Sequence, residues 1–203
     1  MSSSPYLLEK RRSPERCSLE EHLRKYGQPD DVTSLLWKSV PLLKHSGWYV
    51  DAIEEGFCRS VFPATAVTTN QHHTLQGATY LLAGDYTGGI ALGSLFLGAP
   101  IFGVHAVRSG FGNNLWLSHV NLKYTAPAYD DMAVTCRVEK ERYDLLQRRF
   151  WSGKRVMAQL FMEFQSEGRI TAKGTMTYFC QLTSYEEWLK RVEDSKVLRQ
   201  AAA

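Results

Sequence analysis

The sequence predicts an α+β fold in which an antiparallel sheet encloses one long apolar helix. Three observations carry this. The stretch "NQHHTLQGATYLLAGDYTGGIALGSLF", residues 70–96, reads as a helix that is apolar all round apart from one carboxylate, Asp85. Such a helix must be covered on every side, by a sheet or by a partner. Ahead of it, "GWYVDAIEEGFCRSVFPA" alternates like a hairpin, and behind it come strand-like runs with no second long helix. The helix also carries Gly84, Gly88, Gly89 and Gly93, each costing about 0.5–1 kcal/mol relative to alanine. Spaced i, i+4, these glycines let a second backbone approach closely, which offsets that cost.

The elements follow in order. Residues 1–44 form an arm with short helices, 45–182 the main domain, and 183–203 a C-terminal helix and tail. In the arm, "SLEEHLRKYG" has a cap at Ser18, Glu21 three residues on and a stop at Gly27. A single further helix is expected over "DDVTSLLWKSVPLLKHSG", with Leu35, Leu36 and Val40 on one side and Gly47 at its end. In the hairpin, Trp48, Val50 and Ala52 oppose Tyr49, Asp51 and Ile53, with Glu55-Gly56 as the turn and Pro63 as the close. After the long helix the strand-like runs are "IFGVHAVRSG", "LWLSHVNLKYTAP", "DMAVTCRVEKERYD", "RRFWSGKRVMAQLFMEFQS" and "GRITAKGTMTYFCQL". Turns are expected at Gly110 to Asn114, Ala126 to Asp131 and Glu167-Gly168. The tail "TSYEEWLKRVEDSKVLRQ" is an amphipathic helix capped by Thr183 or Ser184, with Glu187 in range.

Composition narrows the function. A chain of 203 residues, 44% hydrophobic, can bury a proper core. Its formal charge of +3 is too mild, and its cations too scattered, for nucleic-acid binding. No run of 18 apolar residues appears, so no membrane span is expected, and the polar N-terminus has no signal-peptide core. Cys17, Cys58, Cys136 and Cys180 lie far apart without a CxxC pair. They read as reduced thiols of a cytoplasmic protein.

The order of elements and the residues "NQHHTLQGATYLLAGDYTGG" resemble the hotdog-fold acyl-CoA and acyl-carrier-protein thioesterase superfamily. The later "HVNLKYTAPAYDDMAVTCRVEKE" is similar to that family's strand, proline turn and following strand. The resemblance covers roughly residues 45–181 and implies a curved sheet wrapped around the central helix, in a homodimer or dimer of dimers. It also implies a loop Asn or His, a small-residue helix start and an acidic residue two turns in. Asn70, His72 or His73, Gly77-Ala78 and Asp85 stand at those places.

Thioester hydrolysis needs a carboxylate, as base or nucleophile, and donors for the developing oxyanion. Free N–H groups at the start of a helix, here Gln76, Gly77 and Ala78, supply donors without side chains. Asp85 lies about 12 Å further along the axis, too far to act on a carbonyl held at its own helix start. The resemblance resolves this by setting two helices face to face, so that Asp85 serves the Gly77 end of the partner. The bland alternative is a structural Asp85 satisfied by Tyr86 or Thr87 of a partner helix. Thr87 is also a candidate substrate contact, although neither it nor Ser94 stands in a Ser-His-Asp arrangement or a GxSxG elbow.

Of the histidines, His73 is preferred as the catalytic one and His72 as a substrate contact, against a solvent-exposed pair. Asn70 either bonds the thioester carbonyl or caps its loop. Adjacent histidines rarely reach one ion, so no metal and no cofactor is expected. His105 and His119 fall in strands, and Trp116, Tyr124, Phe150, Trp151, Phe161 and Phe164 are core, interface or acyl-tunnel residues. In "KERYDLLQRRFWSGKR", read as a hairpin end, Arg148, Arg149 and Lys154, with Lys140, Arg142 and Arg155, could meet nucleotide phosphates or an acidic carrier protein. The expectation is therefore a thioesterase. Its alternatives are a same-fold enzyme acting on a carrier-bound acyl or polyketide intermediate, by dehydration, decarboxylation or Michael addition, or a non-catalytic acyl-binding module.

Overall fold

The computed structural model describes residues 29–97, 103–107 and 111–184, together with Lys190. The helix expected over "SLEEHLRKYG" lies outside the described residues, as does the C-terminal helix apart from Lys190.

The expected second helix of the arm is in fact two, α1 (Pro29–Ser39) and α2 (Pro41–Ser46). Pro41 lacks the N–H that would continue α1, and its ring suits the first turn of a new helix. Leu36 and Leu43 are buried, with Leu35 and Val40 half-buried. Gly47 closes α2 with φ of 73°, the left-handed conformation that only glycine adopts without strain.

Strands β1 (Tyr49–Glu54) and β2 (Phe57–Phe62) form the expected hairpin around Glu55-Gly56. The simple alternation expected in β1 does not hold. The register shifts between Val50 and Ala52, so Val50 and Ile53 point inward while Ala52 is only half-buried. A bulge adds a residue that a two-residue period does not anticipate.

The long helix α3 spans Gly77–Leu97. It is followed by β3 (Gly103–Val107), β4 (Phe111–Tyr124) and β5 (Met132–Arg137). The stretch Phe111 to Asn114, expected as part of a turn, belongs to β4. Next comes a one-turn 3-10 helix (Lys140–Arg142) and α4 (Tyr143–Trp151), where a strand and hairpin end were expected. Strands β6 (Val156–Ser166) and β7 (Arg169–Ser184) complete the fold, joined at Glu167-Gly168. Among the described residues the sheet has seven strands, all neighbours antiparallel, in the order β1-β2-β5-β6-β7-β4-β3.

The sheet curls around α3, which contacts β1, β2, β4, β5, β6 and β7. From Thr87 to Phe96 every residue of α3 is buried. Two glycines make this possible. A Cβ on Gly88 would lie 2.6 Å from Cζ of Tyr178, and one on Gly84 2.9 Å from Sδ of Met176. The Tyr178 hydroxyl donates to the carbonyls of Gly84 (2.9 Å) and Asp85 (3.1 Å), so β7 is fastened to the helix at the place the glycines open. On the other flank, the Trp48 indole donates to the Ser60 hydroxyl, which shares a 2.6 Å bond with Thr87.

The two sides of the sheet end differently. At β1, the Val50 N–H donates to the Thr33 hydroxyl and the Trp48 carbonyl accepts from the Trp37 indole, both from α1, so that edge is covered. At the other side, β3 pairs with β4 only near its start, at Gly103 with Asn113 and Val107 with Phe111. From Asn114 to Tyr124, β4 has a neighbour only on its β7 side among the described residues.

Candidate active site

The mouth of α3 is built by a short loop. Thr69 bridges Leu75, and Asn70 closes the turn between them. The Asn70 amide oxygen accepts from the His72 N–H (2.8 Å) and the Thr74 hydroxyl, while its NH2 donates to that hydroxyl (3.0 Å). Asn70 thus orders the loop from within. His72 and His73 project from it, both exposed, and His73 holds a left-handed φ of 59°.

Gln76 enters the helix anchored to the same loop: its N–H donates to the Thr68 carbonyl and its side chain to the Thr69 carbonyl. Its own carbonyl accepts from both the N–H and the hydroxyl of Thr79 (3.0 and 2.6 Å). The N–H groups of Gly77 and Ala78 have no acceptor among the described residues, and both residues are exposed. They are the free donors of a helix start. Tyr124, the last residue of β4, donates its hydroxyl to the Gly77 carbonyl at 3.2 Å.

From this start an open stripe runs down α3 at helical spacing. Gly77, Ala78 and Leu81 are exposed, Leu82, Asp85 and Tyr86 half-buried, and the stripe closes at Thr87. Asp85 sits at its inner end. Its carboxylate makes no hydrogen bond or ion pair with the described residues, and burial alone lifts its pKa from 3.8 to about 6. A carboxyl so placed is ionised at neutral pH yet takes up a proton readily, the property a general base requires. Tyr86 beside it is pushed upward by burial and then by the Asp85 charge.

Other expected site residues lie elsewhere. Thr87 is buried in the core, its hydroxyl spent on the Ala83 carbonyl and Ser60, so it cannot meet a substrate from the open stripe. Arg148, Arg149 and Lys154 are exposed on the last turn of α4 and just after it. Helix α4 packs on the far end of α3, where Phe150 stacks on Phe96 with centroids 4.4 Å apart and Gln147 donates to the Leu95 carbonyl. That end is about 27 Å from Gly77 along the helix. The structure therefore brings Asn70, His72, His73, Gln76, Gly77 and Ala78 together, sets Asp85 on the same open face, and leaves the basic cluster apart.

Among the described residues the thiols offer no rival nucleophile. Cys58, Cys136 and Cys180 are buried and free, and burial raises all three, Cys136 to about 12. No group of metal-ligating side chains occurs among the described residues, and no described helix is long and apolar enough to cross a membrane.

The bond from Tyr124 to the helix start is not legible in the sequence, which groups this residue with the core, interface or acyl-tunnel aromatics; its alternating segment "HVNLKY" signals only that it ends a strand.

No family model matches the chain, and no curated protein is similar to it in sequence. Solved structures are similar to it in fold. A Pseudomonas aeruginosa protein of unknown function, named a probable thioesterase, is 18% identical with a TM-score of 0.60, over 77% of this chain and 97% of that one. A thioesterase from Haemophilus influenzae is 11% identical, with a TM-score of 0.54 over 79% and 94%. The PaaI protein of Escherichia coli, from the phenylacetic acid degradation operon, is 12% identical with a TM-score of 0.52 over 77% and 94%. The chain has the hotdog fold, as these structures do.

Proposed function

We propose that this protein hydrolyses an acyl thioester, carried on coenzyme A or an acyl carrier protein, by water attack in a site shared between two copies of the chain. The observation that carries the reading is Asp85: a half-buried carboxylate without a partner among the described residues, raised to about 6, on the stripe that leads to the helix start. The thioesterase names of structures with the same fold support it.

Within one chain Asp85 and the Gly77 end are about 12 Å apart, too far to share a carbonyl. A two-fold pairing along the open length of β4 would continue the sheet and cover the exposed stripe of α3, which meets β4 where Tyr124 bonds Gly77. Asp85 of one copy then faces the helix start of the other.

In this mechanism the Asp85 carboxylate takes a proton from water as its oxygen bonds to the thioester carbon. The Gly77 and Ala78 N–H groups donate to the carbonyl oxygen as it becomes anionic. The intermediate collapses by breaking the C–S bond, and the departing thiolate takes the proton held by Asp85, which restores the carboxylate. His73, with His72, borders this mouth and orients substrate or water, and Asn70 holds their loop. The cytoplasm suits the protein, since Cys58, Cys136 and Cys180 persist there as thiols.

The test is incubation with a panel of acyl-CoA and acyl-carrier thioesters, following free thiol and product mass. Thiol release that is lost in Asp85→Asn supports the reading. A change of acyl mass without thiol release points to other chemistry on the carrier-bound chain, and saturable binding without turnover to a binding module. Undiminished hydrolysis by Asp85→Ala sinks the mechanism.

A further inference from the structure

The Tyr124 hydroxyl reaches a particular atom. The Gly77 carbonyl it bonds belongs to the same peptide group as the Ala78 N–H. That group is planar and trans, so its C=O and N–H point in opposite directions and move as one body. A donor on the oxygen withdraws charge through the amide and strengthens the N–H as a donor, the cooperativity of hydrogen-bonded chains. The Ala78 N–H, like that of Gly77, has no acceptor among the described residues.

Tyr124 is built to hold this position. Its ring meets Tyr80 edge-on at 5.1 Å, and Tyr80 in turn packs on Phe164 at 5.3 Å. Its backbone pairs with Ala172 of β7, and the next two N–H groups, of Thr125 and Ala126, both donate to the Thr171 carbonyl. Burial raises the hydroxyl above its ordinary value, so it remains a donor across the neutral range. A Cβ on Gly77 would stand 3.7 Å from the hydroxyl, in ordinary contact.

We propose that Tyr124 is a positioning residue for the thioester oxygen: by donating to the Gly77 carbonyl it fixes and polarises the Ala78 N–H that receives the developing negative charge. The proposal rests on the reading of the helix start as the oxyanion site. It differs from a merely structural role, in which the hydroxyl fastens α3 to the end of β4 and does no more.

The experiment compares wild type, Tyr124→Phe and a variant with 3,5-difluorotyrosine at position 124, in thiol-release kinetics and in the amide spectrum of Ala78. Removing one hydrogen bond of this kind lowers kcat about tenfold. The expected result for Tyr124→Phe is that loss in kcat with KM within about twofold, an unchanged melting temperature and an upfield shift of the Ala78 amide proton. The fluorinated ring, a stronger donor when assayed below its ionisation, restores kcat to the wild-type level or above. Wild-type kcat in Tyr124→Phe, or an unmoved Ala78 resonance, overturns the proposal while leaving thioester hydrolysis intact. If the wild-type protein releases no thiol from any acyl thioester, the thioesterase reading itself fails, and the catalytic role of Tyr124 with it.

Discussion

Replacing Asp85 by Asn should abolish activity and stabilise the protein, and the stabilisation should depend on pH. Burial without a partner raises the carboxyl from 3.8 to about 6. At about 1.4 kcal/mol per pH unit that rise has a ceiling of about 3 kcal/mol. Solvent reaches part of the side chain along the open stripe, so screening leaves roughly 1–3 kcal/mol. The folded state holds the Asp85 proton more tightly than the unfolded chain does. The stability this gives is therefore complete below about pH 4 and is lost as pH rises through about 6. Asparagine does not titrate, so Asp85→Asn should match wild type near pH 4 and exceed it at pH 8. For a chain of this length the gain corresponds to a melting temperature higher by roughly 3–10 °C. Thermal or urea unfolding at the two pH values measures it, with thiol release on the same samples. A loss of stability at pH 8 would refute the reasoning, because the carboxylate would then be paired, and so would a gain equal at both pH values, because it would not come from the carboxylate's charge.

Three further predictions concern the helix and the site. Gly88→Ala drives a methyl into the Tyr178 ring, whose Cζ is 2.6 Å from the added atom, and should cost about 2–4 kcal/mol in unfolding measurements. Gly77→Ala, whose Cβ meets only the Tyr124 ring end at ordinary distance, should melt within a degree or two of wild type. In steady-state kinetics, kcat/KM should be level near neutral pH and fall tenfold per unit below about pH 6, as Asp85 is protonated. A profile level down to pH 4 would remove Asp85 as the base.

Much of the fold was legible because its signals are local or periodic. A helix of 21 residues whose only charged side chain is Asp85 demands an enclosing sheet, and at Gly84 and Gly88 it is the side chains of Met176 and Tyr178, rather than the second backbone expected, that press in. Helix α4 was not legible. It buries only Leu146 and Phe150 and has no side-chain cap, and its place is set by Phe96 and Leu95, distant in sequence. The bulge at Asp51 escaped for a related reason: it changes which residues face inward without changing their kind. At the site, the resemblance and the helix-start argument name Asp85, Gly77 and the loop, and the structure sets these residues along one open face of α3. The basic cluster was misplaced because its helix was missed. Thr87 was misjudged because residues on one helix share a sequence but not a face.

The central claim is that Asp85 of one chain acts on a thioester held at the Gly77 end of another. Mixing two inactive variants after co-refolding tests it directly. Asp85→Asn lacks the base, and Gly77→Leu obstructs the helix start. In a mixed dimer one site receives both defects and the other neither, so random pairing should recover about a quarter of wild-type thiol release. Mixed dimers that form and remain as inactive as their parents would contradict the account.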